Sequence, residues 1–125
     1  LILETDGGIL IAKREVNPPV WFWPGGRLYK GEQLEEAAHR IAEEELDIEI
    51  RIQGQYGPYT HFWENSAVKG SPSRHTVNPV YHVTPAEQDY EINLDEQHSE
   101  YRFLTQMESE LHEYVRLYLE DNDLL

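Results

Sequence analysis

Gly25, Gly26 and Arg27 are followed by Glu32, Arg40, Glu44 and Glu45. Oxygen donors and guanidinium forks thus follow a glycine turn along one helix-forming stretch. A helix turns by about 100° per residue, so with position 41 as origin Glu44 lies near roughly 300° and Glu45 near roughly 40°. Positions 41, 44 and 45 share one sector. Two carboxylates there, Glu44 and Glu45, could reach one hard cation such as Mg²⁺, which takes oxygen ligands and keeps several waters. Arg40 precedes Glu44 by one turn, where its planar fork can orient that carboxylate or contact a phosphate. Glu43 faces away and is expected to be solvated. By themselves these residues equally describe an amphipathic helix with a charged surface, the commoner outcome of an acidic helical run. Ile41 stands out, because it fills the shared sector where another carboxylate could have helped.

The elements that must hold these groups can be read from pattern. "LILETDGGILIAKRE" reads as a hairpin, two apolar runs around Asp6-Gly7-Gly8. "PPVWFWPGG" is a proline-bounded extended piece in which Pro24 favours an extended Trp23. Residues from about 33 to 46 have helical spacing, with Leu34, Ala37, Ala38 and Ile41 on the apolar face. "IEIRIQGQYG" and "PYTHFWEN" alternate as strands, and "SAVKGSPSR" reads as a loop. "HTVNPVYHVTP" is a strand in which Pro79 implies an edge or a bulge. "INLDEQHSE" is a polar loop leading to the short strand "YRFL". Thr105 and Glu108 have the spacing of a capping box, which predicts a last helix from there to about Glu120, with Leu111, Tyr114, Val115 and Tyr118 inward. The order strands, helix, strands, helix predicts an α/β fold, a mixed sheet between helices.

The whole chain of 125 residues suits one domain. At 39% hydrophobic it has enough apolar residues for a core, too scattered for a membrane span. It has no cysteine, which excludes disulfides, thiol nucleophiles and cysteine-bound metal and fits a cytoplasmic location. No stretch resembles a signal peptide, and the chain opens on Leu1 rather than Met, so native residues are expected to precede it. The formal charge is -14, from 24 acidic against 10 basic residues. Such a surface repels nucleic acid backbones, so neither nucleic acid nor membrane is an expected partner. Lysine is scarce (Lys13, Lys30 and Lys69), and a charge this large self-repels unless screened, which points to adaptation to high salt.

The full spacing narrows the chemistry. Gly26, Glu32, Arg40, Glu44, Glu45 and Ile48 together resemble the Nudix box, a long pattern with fixed gaps. The Nudix hydrolase superfamily acts on nucleoside diphosphates linked to another moiety, with Mg²⁺ or Mn²⁺, on an α/β/α sandwich with a mixed sheet. The resemblance therefore implies a single Nudix-type domain over residues 1–125. Two positions depart from the common box. Ile41 replaces the Glu that usually follows the Arg, and Asp47 replaces the usual Gly. The metal pole is one carboxylate short, so fewer metals are expected.

One subfamily, the GDP-mannose mannosyl hydrolases, carries the same gap at 41. "WFWPGGRLYKGEQLEEAAHRIAEEEL", "GPYTHFWEN" and "LDEQHSEYRFLT" are similar to its segments, the last most specifically. Water there attacks sugar C1, giving GDP and free sugar with inversion. Carried over by position, the Gly25 carbonyl, Glu45 and Gln97 would bind Mg²⁺, and His98 would be the general base. Arg27 and Arg40 would stabilise the diphosphate leaving group, with Arg14 near it. His61 matches a position near the site and equally reads as a packed strand residue. This division agrees with the chemistry. Inverting displacement at a sugar carbon needs a base opposite the leaving group, and histidine has a suitable pKa. A metal and two or three arginines can neutralise the departing diphosphate, so no further carboxylate is needed at 41.

The family's Tyr near the leaving group is replaced by Thr76; Tyr81 is not assigned that role, and Arg74 could compensate. On residues alone His98 would be a solvated loop histidine, and the Gln97-His98 match reverses that. His39 and His112 read as exposed helix positions, His82 as a core or surface strand residue, and Trp21, Trp23 and Trp63 as core or interface aromatics. Three functions compete: a hydrolase of a GDP-sugar, an ordinary Nudix pyrophosphohydrolase cutting P–O, and a non-catalytic nucleotide-sugar sensor. The expected partner is a nucleotide-sugar substrate, and the resemblance implies a homodimer.

Overall fold

The computed structural model describes residues 1–15, 20–63 and 74–125. Among these, six strands form one mixed sheet, and two helices pack against it. Strands β1 (Ile2–Thr5) and β2 (Gly8–Arg14) are the expected hairpin. Gly8 has φ +125°, and a Cβ there would meet the Leu104 carbonyl oxygen at 2.3 Å, so this position requires glycine. β3 (Trp21–Phe22) and β6 (His98–Leu104) both pair antiparallel with β2. Because β6 runs along residues 9–14, β1 and β3 must share the opposite edge of β2. β5 (Arg74–Pro85) joins β1 in parallel, the feature that makes the sheet mixed, and β4 (Ile50–Trp63) closes that side.

The two stretches expected as separate strands around Gly57-Pro58 are one strand, β4. The pairing absorbs the break: Tyr56 faces Val80 and Tyr59 faces Asn78, so Gly57 and Pro58 stand opposite Pro79 alone. That is a bulge, the outcome Pro79 implied. The loop expected before β5 lies largely outside the described residues, as do the side chains of Trp63 and Arg74.

Alternation along β1 and β2 makes the sandwich. Ile2, Ile9 and Ile11 join the core beneath α2 (Glu113–Asp121), with Val115, Tyr118 and Leu119. Leu3 and Leu10 point the other way, toward Ala38, Ala42 and Leu46 of α1 (Leu34–Leu46). Both faces are covered, which is why these strands read as near-continuous apolar runs. Each such side chain, once buried, adds about 1.5–3 kcal/mol.

α1 begins where expected, with Glu36 Oε1 accepting the Gln33 N–H at 3.3 Å. It ends at Asp47, which has left-handed φ 57° and ψ 41°. This conformation explains why glycine is usual there; Asp47 tolerates it and accepts a hydrogen bond from Asn93 Nδ2 at 3.3 Å.

The last helix starts later than predicted. Its N-cap is His112, whose Nδ1 accepts the Tyr114 N–H at 3.1 Å, so His112 is a capping residue, not an exposed helix position. Glu108, the expected capping partner of Thr105, instead receives both arms of Arg102 at 2.9 Å. A charge-assisted bidentate pair is stronger than a capping contact. His39 is exposed as expected, and His82 is half-buried between Glu4 and Tyr56. Trp23 is buried and stacked on Tyr118, while Trp21 lies beneath the Arg102 guanidinium.

Candidate active site

Glu45 is the pivot of the site. It sits on the last turn of α1 and is 9% exposed. Its Oε1 accepts the Gly25 N–H at 3.4 Å, which ties the glycine turn to the helix. The same oxygen lies 3.7 Å from His98 Nε2, at the start of β6. The other ring nitrogen, Nδ1, donates to Asp95 Oδ1 at 2.6 Å. Glu45, Asp95 and His98 each present a ligand atom, all within 4.8 Å of one another.

Local chain geometry delivers these groups. Asp95 and His98 flank a tight turn, closed by the His98 N–H on the Asp95 carbonyl at 3.4 Å. That turn is fastened to the residue that follows β2, because the Gln97 carbonyl accepts the Glu15 N–H at 2.8 Å and Ser99 Oγ donates to the Glu15 carboxylate. Arg14 then falls opposite His98 in the strand register, next to an irregularity between Lys13 and Arg14.

Burial pushes the Glu45 carboxyl up to about 7; His98 and the Gly25 N–H draw it down and Asp95 adds to the rise. The arginine facing this group is Arg14, whose guanidinium burial holds below its ordinary value while Glu45 works the other way. Two carboxylates, one of them buried, and an imidazole converge here. Such a donor set suits a divalent cation.

Arg40 has a structural task. Its Nε and Nη2 grip Glu32 at 2.7 and 3.0 Å, Nη2 also donates to the Arg27 carbonyl at 2.7 Å, and Nη1 reaches Glu44 at 3.0 Å. Its guanidinium lies 3.7 Å over the Tyr29 ring. Glu32 is thereby held below the ordinary carboxylate range by its hydrogen bond to Arg40. The guanidinium thus clamps the loop from Arg27 to Glu32 onto α1.

The residues singled out in the sequence divide accordingly. Arg14, Gly25, Glu45 and His98 come together. Glu44 does not join them: it is 53% exposed and turned to Arg40. Helical projection put it in the sector of Glu45 but could not show which side of that sector the sheet covers. Gln97 is exposed, one residue from His98. Arg27 is exposed on the loop whose carbonyl Arg40 holds. His61 is 5% exposed in the α2-side core, stacked on Tyr114 and hydrogen-bonded to Tyr118, which is the packed-strand alternative. Asp95 was not singled out. Its signal was the three-residue spacing to His98 across a turn.

Ile41 lies one turn before Glu45 and is 7% exposed. A Cβ on Gly26 would sit 3.7 Å from both Ile41 and Glu45 Oε2. Ile41 is therefore an apolar floor under the glycine turn, beside the carboxylate whose charge it helps to desolvate.

Comparison with known proteins agrees with this geometry. Residues 1–120 match the NUDIX domain. The low-salt glycan biosynthesis protein Agl8 of Haloferax volcanii is 35% identical over 125 residues, covering 98% of this chain and 79% of that protein. A MutT NUDIX hydrolase from Burkholderia pseudomallei superposes with TM-score 0.66 at 27% identity, over 95% of this chain and 91% of that one. The MutT protein from Methanosarcina mazei Go1 shares the fold, with TM-score 0.66, 22% identity and coverage of 98% and 88%. Given the family match along nearly its full length and the α/β/α sandwich that carries it, the chain belongs to the Nudix hydrolase family.

Proposed function

We propose that the protein hydrolyses a nucleotide sugar of the GDP-mannose or GDP-glucose type to GDP and free sugar, by attack of water on sugar C1 with inversion. The observation that carries this reading is His98: its side chain is 6% exposed, and its Nε2 is turned toward Glu45. A ring bonded to a carboxylate through Nδ1 has Nε2 available to accept a proton. In the step, water oxygen bonds to C1 and its proton passes to Nε2. The C1–O bond breaks, and its electron pair leaves on the β-phosphate oxygen. Arg14 and Arg27 would meet the diphosphate, while Arg40 keeps the loop that carries Arg27 in place.

Glu45, with the Gly25 carbonyl and Gln97, would hold Mg²⁺ or Mn²⁺. When bound, that ion supplies charge neutralisation at the diphosphate. The relative named for glycan biosynthesis supports a sugar-nucleotide substrate. A cytoplasmic homodimer completes the proposal, on the subfamily resemblance and the absence of cysteine.

The test is to incubate the protein with GDP-mannose and Mg²⁺, at low and molar salt, and to identify products by phosphorus and proton NMR. GDP and free mannose are expected. GMP and mannose 1-phosphate would replace this reading with ordinary pyrophosphohydrolysis; binding without turnover would replace it with a sensor.

A further inference from the structure

We infer that Asp95 is a positioning residue, which fixes His98 in the tautomer protonated at Nδ1 and so aims a bare Nε2 lone pair at the Glu45 pole. This rests on the reading of His98 as the base.

A carboxylate can only accept, so the 2.6 Å contact between Asp95 Oδ1 and His98 Nδ1 places the hydrogen on Nδ1. The neutral imidazole then has its lone pair on Nε2. Two further bonds restrict the ring's choices. The His98 N–H closes onto the Asp95 carbonyl, so the same residue pins both backbone and ring. The Gln97 carbonyl is bonded to Glu15, so the turn cannot rotate without breaking from the end of the β2 segment. Nε2 is left 3.7 Å from Glu45 Oε1. With its side chain 24% exposed, Asp95 is held at the site's edge, beside the ring.

A residue that merely closes the turn makes a different prediction. Asp95→Asn keeps size and the backbone bond, but it can present an N–H to Nδ1 and favour the opposite tautomer. The wrong tautomer removes the base without removing the ring.

The experiment uses the full chain labelled with ¹⁵N, without metal, at mildly alkaline pH. Long-range proton–nitrogen correlations of the His98 ring report which nitrogen carries hydrogen. Wild type should show Nδ1–H, and Asp95→Asn should shift the population to Nε2–H. In parallel, Asp95→Asn should lower kcat by roughly 100-fold or more with KM and Tm little changed, and Asp95→Glu should recover part of that loss. Nε2–H in wild type would overturn the inference, as would an unchanged tautomer with unchanged kcat in Asp95→Asn. The wild-type spectrum decides even if the variant does not fold. Because the tautomer is read without substrate, its outcome is separate from whether the products are those of sugar hydrolysis.

Discussion

His98 Nε2 and Glu45 Oε1 stand 3.7 Å apart, the nitrogen on a strand and the oxygen on a helix. The proposed function gives Glu45 to the ion and His98 to the water. His98→Gln should therefore lower turnover by roughly 100- to 10,000-fold while Mg²⁺ or Mn²⁺ affinity stays within a few fold. Steady-state kinetics with a metal titration checks this. Retained activity would remove His98 as base, and lost metal affinity would make it a ligand.

Arg40 holds Glu32 by two donors and the Arg27 carbonyl by a third. Lysine keeps the charge but not the fork. Arg40→Lys should cost about 1–3 kcal/mol of stability, and it should depress activity by loosening the glycine loop. Denaturant unfolding measures the first effect, and kinetics at saturating metal the second. Equal stability of the two proteins would contradict the clamp.

His61 shows how burial couples to pH. Its pKa is lowered to about 4, by burial first and then by neighbouring His112. The unfolded chain takes up this proton near the ordinary value, while the folded protein resists until about 4. The contribution is thus fully present above about 6.5 and is lost as pH falls toward 4. His112 beside it is also lowered, by burial with Glu113 opposing, so the comparison must be with a variant. Relative to wild type, His61→Gln should lose less stability between pH 6.5 and 4, by on the order of 2 kcal/mol. Parallel stability curves would contradict this.

A charge of -14 on 125 residues self-repels. Screening shortens the reach of that repulsion to about 3 Å in molar salt. The melting temperature should rise from low to molar salt. A flat or falling curve would leave the acidic composition without an adaptive role.

Much of this arrangement was legible in the sequence because it is local. The hairpin has its Gly7-Gly8 turn, α1 has its period, and the Arg40–Glu44 pair lies one helical turn apart. What failed depended on which partner the folded chain brings into contact. Thr105 and Glu108 have the spacing of a helix start, but Arg102 claims Glu108 from a neighbouring strand. Gly57-Pro58 looks like a strand break until Pro79 stands opposite it. Glu44 and Glu45 are adjacent and both acidic, yet only the packing of α1 on the sheet decides which is buried. Asp95 is one acid among 24; its three-residue spacing to His98 is visible, but the closed turn is what sets it against the ring.

The measurement that reaches the central claim most directly is hydrolysis of GDP-mannose in ¹⁸O-labelled water. Attack at C1 predicts label in the free sugar and none in the phosphate of GDP, with the inverted anomer formed first. Label in a phosphoryl group would place the attack at phosphorus and contradict the assignment of His98 as base toward the sugar carbon.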